Sequence, residues 1–273
     1  MADSSSYEAR HARAREVFGR FVPGVEPERV FASMERRFGA LGTFGFDAVG
    51  DLWARPALSR RDRSLLVISV LAGQARDEEL ELHTQVGLNH GLARVEIEEI
   101  LLHVAAYAGF PAAMAAFRRM DAAFRKAEGV ERIEGRQPAA RLSDAERDAR
   151  AADVRRTLTA GRAAADPATD LANMERALGP VGVLAFRWAF GEVWSRPELS
   201  RRDRSLVVLA LLGALGQEGE LAFHVPAGLN HGLTRAEIEE IMLHLCLYAG
   251  FPRGVDGLRA ARAAFAKIDA RPT

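Results

Sequence analysis

Residues 91–111, GLARVEIEEILLHVAAYAGFP, return almost unchanged at 232–252 as GLTRAEIEEIMLHLCLYAGFP. In both stretches the apolar residues recur every three or four positions, and each run ends at a glycine with a proline close behind. That spacing is typical of an amphipathic helix that has a defined end. The pair of stretches therefore predicts a fold that is helical and duplicated.

The duplication extends well beyond this stretch. WARPALSRRDRSL at 53–65 returns as WSRPELSRRDRSL at 194–206, and SMERRFG at 33–39 resembles NMERALG at 173–179. A repeat of this size is too long for a solenoid, whose units measure roughly 20–45 residues. It indicates two copies of one domain.

We predict two units, at 1–130 and 140–273, joined by a polar seam near 126–146. Alternation of the kind that marks strands is absent from the pattern, so the predicted fold class is all-α. Helix starts carry Ser or Thr caps, among them Thr234, three residues before a glutamate. The first copy has Ala93 at that position, and its cap should be weaker by about 1 kcal/mol.

Composition limits the partners that the chain could have. Lys and Arg number 37, as do Asp and Glu, so no global charge attracts nucleic acid. We expect no membrane span, because no apolar run approaches about 20 residues, and no secretory signal, because the first twenty residues are charged. The single cysteine, Cys246, offers no dithiol chemistry. These features favour a soluble cytoplasmic protein.

Two histidines lie at equivalent positions of the repeat, each four residues after a glutamate. His83 follows Glu79 and His224 follows Glu220. On a helix this spacing puts a carboxylate and an imidazole on one face, where the acid could orient the ring and raise its pKa. Such a pair suits general acid/base chemistry. A core histidine satisfied by a nearby acid would have the same pattern.

Three further patterns are shared by the copies. Glu99, His103 and Tyr107 follow one another at spacings of four and return as Glu240, His244 and Tyr248. This stripe could face a site or a contact between helices.

Arg63 and Arg204 each precede an apolar helical run, where a guanidinium could bind a substrate carboxylate. Trp53 and Trp194 could wall a pocket, although core packing would also explain them. No recognised cofactor or metal motif occurs, so we predict neither.

These segments resemble the carboxymuconolactone decarboxylase family in a tandem form. The motifs that carry the resemblance are W-x-R-P-x-L-S-R-R-D-R-S-L, E-L-x-x-H-x3-G-L-N-H-G-L and E-I-E-E-I-x-L-H-x3-Y-A-G-F-P. A branch of the family contains thiol peroxidases of the alkylhydroperoxidase type, whose two cysteines would fall at Arg76 and Glu79, or at Gln217 and Glu220. Neither copy has a thiol there, which excludes that branch.

The resemblance implies a cofactor-free decarboxylase of a small carboxylic acid or lactone such as carboxymuconolactone. It also implies rings of six units, hence a homotrimer of two-unit chains with sites between units. The implied roles are acid/base catalysis by His83 and His224, with Glu79 and Glu220 as their orienting partners. Anion binding falls to Arg63 and Arg204, and a second rank of substrate-binding residues comprises His103, His244, Trp53, Trp194, Tyr107 and Tyr248.

Other activities fit the same pocket. The chain could be an isomerase, a cyclase or a lactone hydrolase of a biosynthetic pathway, which would release no CO2. It could also be a non-catalytic oligomeric binding protein, whose histidines would titrate near the ordinary value of about 6.5. Pro226, two residues after His224, removes a backbone donor from the second copy's helix, so we favour the first copy as the active one.

Overall fold

The chain is helical throughout the part that the structure describes. A computed structural model describes residues 6–136 and 141–270. The first unit contains α1 (Tyr7–Phe21), α2 (Pro27–Phe38), α3 (Ala40–Trp53), α4 (Arg60–Gly73), α5 (Asp77–Asn89), α6 (Arg94–Tyr107) and α7 (Phe110–Glu128). The second contains α8 (Asp144–Leu158), α9 (Pro167–Leu178), α10 (Pro180–Leu184), a π-helical segment (Ala185–Trp194), α11 (Arg201–Leu215), α12 (Glu218–Asn230), α13 (Arg235–Tyr248) and α14 (Phe251–Asp269). Neither described range contains a strand, and the prediction of an all-α tandem fold is confirmed. Part of the predicted seam, 137–140, lies outside the described residues.

The helices begin where the sequence places their caps. The Ser59 hydroxyl accepts a hydrogen bond from the backbone N–H of Asp62 at 3.1 Å and starts α4. The Thr234 hydroxyl accepts from Glu237 at 3.2 Å and starts α13. Ala93 has no side-chain acceptor, so the first turn of α6 lacks the corresponding bond.

Helices α5 and α12 end at the repeated Asn-His-Gly. Each helix stops at the asparagine, and the glycine two residues later has a positive φ, 90° at Gly91 and 95° at Gly232. Glycine reaches this region without the steric cost that a Cβ would bring. The glycines therefore end these helices and turn the chain toward α6 and α13.

The core is centred on α4 and α11, which pack against each other across the two units. Residues 62–72 and 203–214 are buried without interruption. Helix α6 of the first unit also packs on α11, and α13 of the second packs on α4. Each unit therefore contributes to the other's core, and this exchange positions the candidate sites.

The two copies differ in the helix that carries the tryptophan. Trp53 ends the α-helix α3, whereas its counterpart Trp194 ends the wider π-helical segment. π-Helical turns are uncommon and often lie at functional sites. The sequence pattern predicted a helix here but not its type.

Within residues 6–136 and 141–270, none of the helices combines the length and apolarity that crossing a bilayer requires.

Candidate active site

Two equivalent sites lie where the units meet, and each is built from both units. The first site comprises Trp53, Arg63, His83 and His90 of the first unit with Glu240, His244 and Tyr248 of the second. The second site comprises Trp194, Arg204, His224 and His231 of the second unit with Glu99, His103 and Tyr107 of the first. The structure thus brings together all the sequence-predicted residues except Glu79 and Glu220, the predicted partners of His83 and His224.

Arg63 joins the units at the first site. Its guanidinium is fully buried; Nη1 donates to Glu240 Oε1 at 2.9 Å and contacts His244 Nε2 at 2.9 Å. Nη2 donates to the backbone carbonyl of Arg55 at 2.5 Å, and Arg55 itself pairs with Glu240. A charge that is buried and compensated in this way is costly to disrupt.

Arg204 repeats the arrangement at the second site. It donates to Glu99 Oε2 at 2.8 Å and contacts His103 Nε2 at 3.1 Å, and it too is fully buried. The sequence suggested that Arg63 and Arg204 would bind a substrate carboxylate. In the structure their charges are already paired with glutamates of the other unit, so they hold the walls of the sites together.

The histidines opposite these arginines are also closed off. His103 and His244 are both fully buried, and each presents its Nε2 to an arginine. Burial, followed by the charge of Arg63, lowers the pKa of His244 to about 3, and burial lowers that of His103 well below its ordinary value. The expected role of these rings in substrate binding is not visible in this geometry, because Nε2 of each ring faces an arginine.

His83 has a different environment. Its ring stacks on Trp53, with centroids 6.3 Å apart, and meets the edge of Tyr248 at 5.4 Å. Nδ1 is buried without a hydrogen-bond partner, and no bond to the other ring nitrogen occurs among the described residues. Burial, and then the neighbouring His90, lower the pKa of His83 to about 4. The ring is therefore neutral at pH 7.

The predicted partnership between glutamate and histidine is absent. Glu79 and Glu220 are exposed, and neither forms a hydrogen bond or ion pair with the histidine one turn later in the described part of the chain. The expected rise in pKa is also wrong, since burial lowers the pKa of His224 to about 3. The spacing of four puts both residues on one face, but the imidazole turns inward and the carboxylate stays in water.

The tryptophans and tyrosines close the sites across the unit boundary. Trp53 Nε1 donates to the Tyr248 hydroxyl at 2.8 Å, and Trp194 Nε1 donates to the Tyr107 hydroxyl at 2.9 Å. In the second site the Tyr107 oxygen also lies 3.4 Å from Nε2 of His224. Burial raises the pKa of both tyrosines, so each keeps its proton and can donate it in a hydrogen bond.

His90 and its counterpart His231 also belong to the sites, although they are not among the residues predicted from the sequence. His90 Nδ1 lies 2.9 Å from the Ser64 hydroxyl, and His231 Nδ1 lies 2.8 Å from that of Ser205. The His90 ring contacts Trp53, with centroids 5.6 Å apart. Both copies keep the histidine of Asn-His-Gly, and that was the available signal.

Two surface pockets approach the first site from either end of α5. One, of about 560 Å³, is lined by Tyr248 and Glu79. The other, of about 720 Å³, is lined by Arg20, Arg60 and His90. Within the described ranges no group of three or more His, Cys, Asp or Glu side chains is arranged to hold a metal. Neutral imidazoles and a tyrosine hydroxyl are thus the reactive groups that the pockets approach.

Comparison with known proteins agrees with this architecture. The carboxymuconolactone decarboxylase family model matches residues 43–122 and 183–263, together more than half of the chain. A 4-carboxymuconolactone decarboxylase of Acinetobacter baylyi is 46% identical over 86 residues, which cover 32% of this chain and 64% of that protein. A nitrosuccinic acid decarboxylase of Metarhizium robertsii is 44% identical over 77 residues, 28% of this chain and 52% of that protein. The chain thus spans less than two thirds of the length of either relative. It belongs to the carboxymuconolactone decarboxylase family, in a tandem form with two family domains in one chain.

Proposed function

We propose that the chain is a cofactor-independent decarboxylase of a small carboxylic acid or carboxylated lactone, and that the first site performs the reaction. The observation that carries the proposal is the His83 ring, which is buried among aromatic side chains and whose Nδ1 has no hydrogen-bond partner in the described part of the chain. Buried polar atoms of native proteins are nearly always hydrogen-bonded, so an unpaired one in a candidate site points to a missing ligand. The names of the two relatives supply the class of reaction.

The substrates in those names share one electronic feature. In each, the carbon that loses CO2 is attached to a group that can accept an electron pair, either an unsaturated lactone or a nitro group. The bond to the carboxylate breaks, its electron pair moves to an oxygen of that group, and CO2 leaves. A proton then adds to carbon. An enzyme for this reaction must stabilise the developing oxyanion and supply the proton.

The first site offers a group for each task. Aromatic walls formed by Trp53 and Phe21 would leave the departing carboxylate poorly solvated, which favours its loss. The Tyr248 hydroxyl, which accepts from Trp53 and has its own proton to give, would donate to the oxyanion. His83 would take up a proton when an anion binds beside it, because a nearby negative charge raises the pKa of an imidazole. It would then give that proton to carbon.

The charged groups act as positioning residues in this proposal. The pair of Arg63 and Glu240 holds α4 against α13, and α13 ends at Tyr248. Glu79 lies in the pocket that Tyr248 also lines, and there it would influence which substrates approach. His224 and Glu220 occupy the equivalent positions of the second site, which differs from the first in Pro226 and in the contact between the Tyr107 hydroxyl and Nε2 of His224.

An assay of products separates this proposal from the alternatives. The full chain would be incubated with 4-carboxymuconolactone and with nitrosuccinic acid, and CO2 and organic products would be measured. Release of CO2 together with the protonated product supports decarboxylation. A rearranged or hydrolysed product without CO2 would favour an isomerase, cyclase or hydrolase. Binding of these acids without any change in them would favour a non-catalytic binding protein.

For the assembly, we propose a homotrimer in the cytoplasm. Support comes from an apolar surface that both units expose at equivalent positions, comprising Phe38, Leu41 and Phe44 in the first and Leu178, Val181 and Leu184 in the second. Light scattering should give about three times the 29.8 kDa of one chain. A monomeric mass would contradict this part of the proposal.

A further inference from the structure

The hydrogen bonds around His90 in the first unit differ from those around its counterpart His231 in the second unit. The comparison begins with a bond that both units share. Asn89 donates to the Phe21 carbonyl at 2.8 Å, and Asn230 donates to the Leu158 carbonyl at 2.8 Å. These matching bonds align α1 with α8. Arg20, which precedes Phe21, therefore corresponds to Thr157, which precedes Leu158.

Thr157 closes the pocket of the second unit. Its hydroxyl oxygen lies 3.0 Å from Nε2 of His231 and accepts from Arg201 at 2.6 Å. Since the Ser205 hydroxyl engages Nδ1, both nitrogens of His231 have partners. The cation and the histidine of this unit are thus occupied by protein groups.

The first unit leaves the same groups open. Arg20 is exposed and forms no ion pair with any residue of the described ranges, and Nε2 of His90 is buried without a partner. The Ser64 hydroxyl can donate to Nδ1 of His90, which leaves the proton of the neutral ring on Nε2 as a vacant donor. An unpaired buried donor destabilises the folded chain unless something binds to it.

The charge around this pocket selects the kind of ligand. Arg20 and Arg60 both line it, and Arg60 is the first residue of α4, whose N-terminus adds a partial positive charge. Glu16 pairs with Arg60 at 2.9 Å and offsets one of the two cations. Arg20 and the donor on His90 remain for a small anion.

We infer that this pocket, lined by Arg20, Arg60 and His90, binds the carboxylate of a small organic acid, and that only the first unit has such a subsite. That this acid is a substrate of the chain rests on the proposed function. Phe21 and Trp53 each contact both His90 and His83, so the ring that lines this pocket and the ring of His83 share the same aromatic neighbours. Arg20 and His90 would then determine which acids bind in the first site.

Calorimetric titration of the full chain with succinate tests this directly. Succinate is a dicarboxylate without a group that could stabilise a carbanion, so it should bind without reacting. We expect one succinate per chain. Arg20→Thr, which copies the residue of the second unit, and His90→Asn should each weaken binding by about tenfold or more, because each removes a bond to a charged group. The matched control in the second unit, His231→Asn, should change binding less than about twofold.

Three results would overturn the inference: no binding of succinate, two succinates per chain, or an equal loss in His231→Asn. Arg20 is exposed, so its variant should melt like the parent chain, and a loss of binding could not be ascribed to unfolding. Failure here is distinct from failure of the proposed function. Succinate binding that depends on Arg20 would stand even if no acid released CO2, and CO2 release could persist without this subsite.

Discussion

Nε1 of Trp53 in the first unit donates a hydrogen bond to the hydroxyl of Tyr248 in the second, 2.8 Å away. In the second site the units are exchanged: Nε1 of Trp194 in the second unit donates to the hydroxyl of Tyr107 in the first, at 2.9 Å. Neither unit alone contains a complete site, because the tryptophan and the tyrosine of every pair come from different units. The two copies in one chain thus complete each other.

Tyr248→Phe tests the energetic importance of this contact. The substitution keeps the ring but leaves the buried indole N–H of Trp53 unpaired, which should cost about 1–3 kcal/mol of the free energy of unfolding. Urea unfolding would measure it. Tyr7→Phe is the matched control, because Tyr7 is 52% exposed and should change stability by less than about 0.5 kcal/mol. Equal losses of unfolding free energy in the two variants would show that the hydrogen bond between Trp53 and Tyr248 does not stabilise the chain.

Arg63→Met should destabilise the chain far more than loss of a surface charge. It leaves Glu240 buried with only the half-exposed Arg55 as a partner, and breaking a buried pair from one side costs about 3–5 kcal/mol. Arg259→Met, which removes an exposed pair with Asp256, should cost under about 1 kcal/mol. Comparable losses in urea unfolding would show that Arg63 does not hold the units together.

The buried histidines predict that acid destabilises the chain. The pKa of His83 is lowered from 6.5 to about 4, and those of His90 and His231 are also lowered to about 4. Because the unfolded chain binds more protons than the folded one between these values, the stabilisation is complete above about pH 6.5 and is lost as the pH falls toward 4. Urea unfolding at pH 7.5, 6 and 5 would measure the slope.

A variant with fewer buried histidines supplies the control for that slope. His83→Gln should lose less stability than the parent chain over the same pH range, since one proton-binding group has been removed. Equal unfolding free energies of the parent chain at pH 5 and pH 7.5 would mean that the rings are not buried in their neutral form.

The cap missing from α6 offers a stabilising substitution. Ala93→Thr copies Thr234 and should raise the unfolding free energy by about 1 kcal/mol, because its hydroxyl can accept from the backbone of the first turn. Ala93→Val has nearly the same shape without the hydroxyl and should give no such gain. Thermal melts of the two variants would separate the capping bond from the effect of a larger side chain.

The sequence predicted the helices and their ends well, because the signals are local. Caps such as Ser59 and the glycine that ends α5 act within a few residues of where they stand. Pro226 lies inside α12, as the pattern suggested, and the helix continues through it. No local pattern in the sequence indicated that the segment ending at Trp194 is a π-helix, whereas its counterpart α3 is an α-helix.

The contacts of the candidate site were harder to predict, since they join residues far apart in the chain. Spacing placed Glu79 beside His83 but could not show that one faces water and the other the core. Across the boundary between the units, His83 contacts Tyr248 and Arg63 pairs with Glu240. Repetition singled out most of the residues that the structure brings together, and packing between the units determined their partners.

The proposed reaction depends on His83, which delivers the proton in a decarboxylation at the first site. The rate of CO2 release from 4-carboxymuconolactone and from nitrosuccinic acid should be measured for the full chain and for His83→Gln at pH 7. We expect the parent chain to release CO2 from at least one of these acids and His83→Gln to be slower by about 100-fold or more, the usual contribution of a general acid. Equal rates in the two proteins, or no CO2 from either acid, would contradict this proposal.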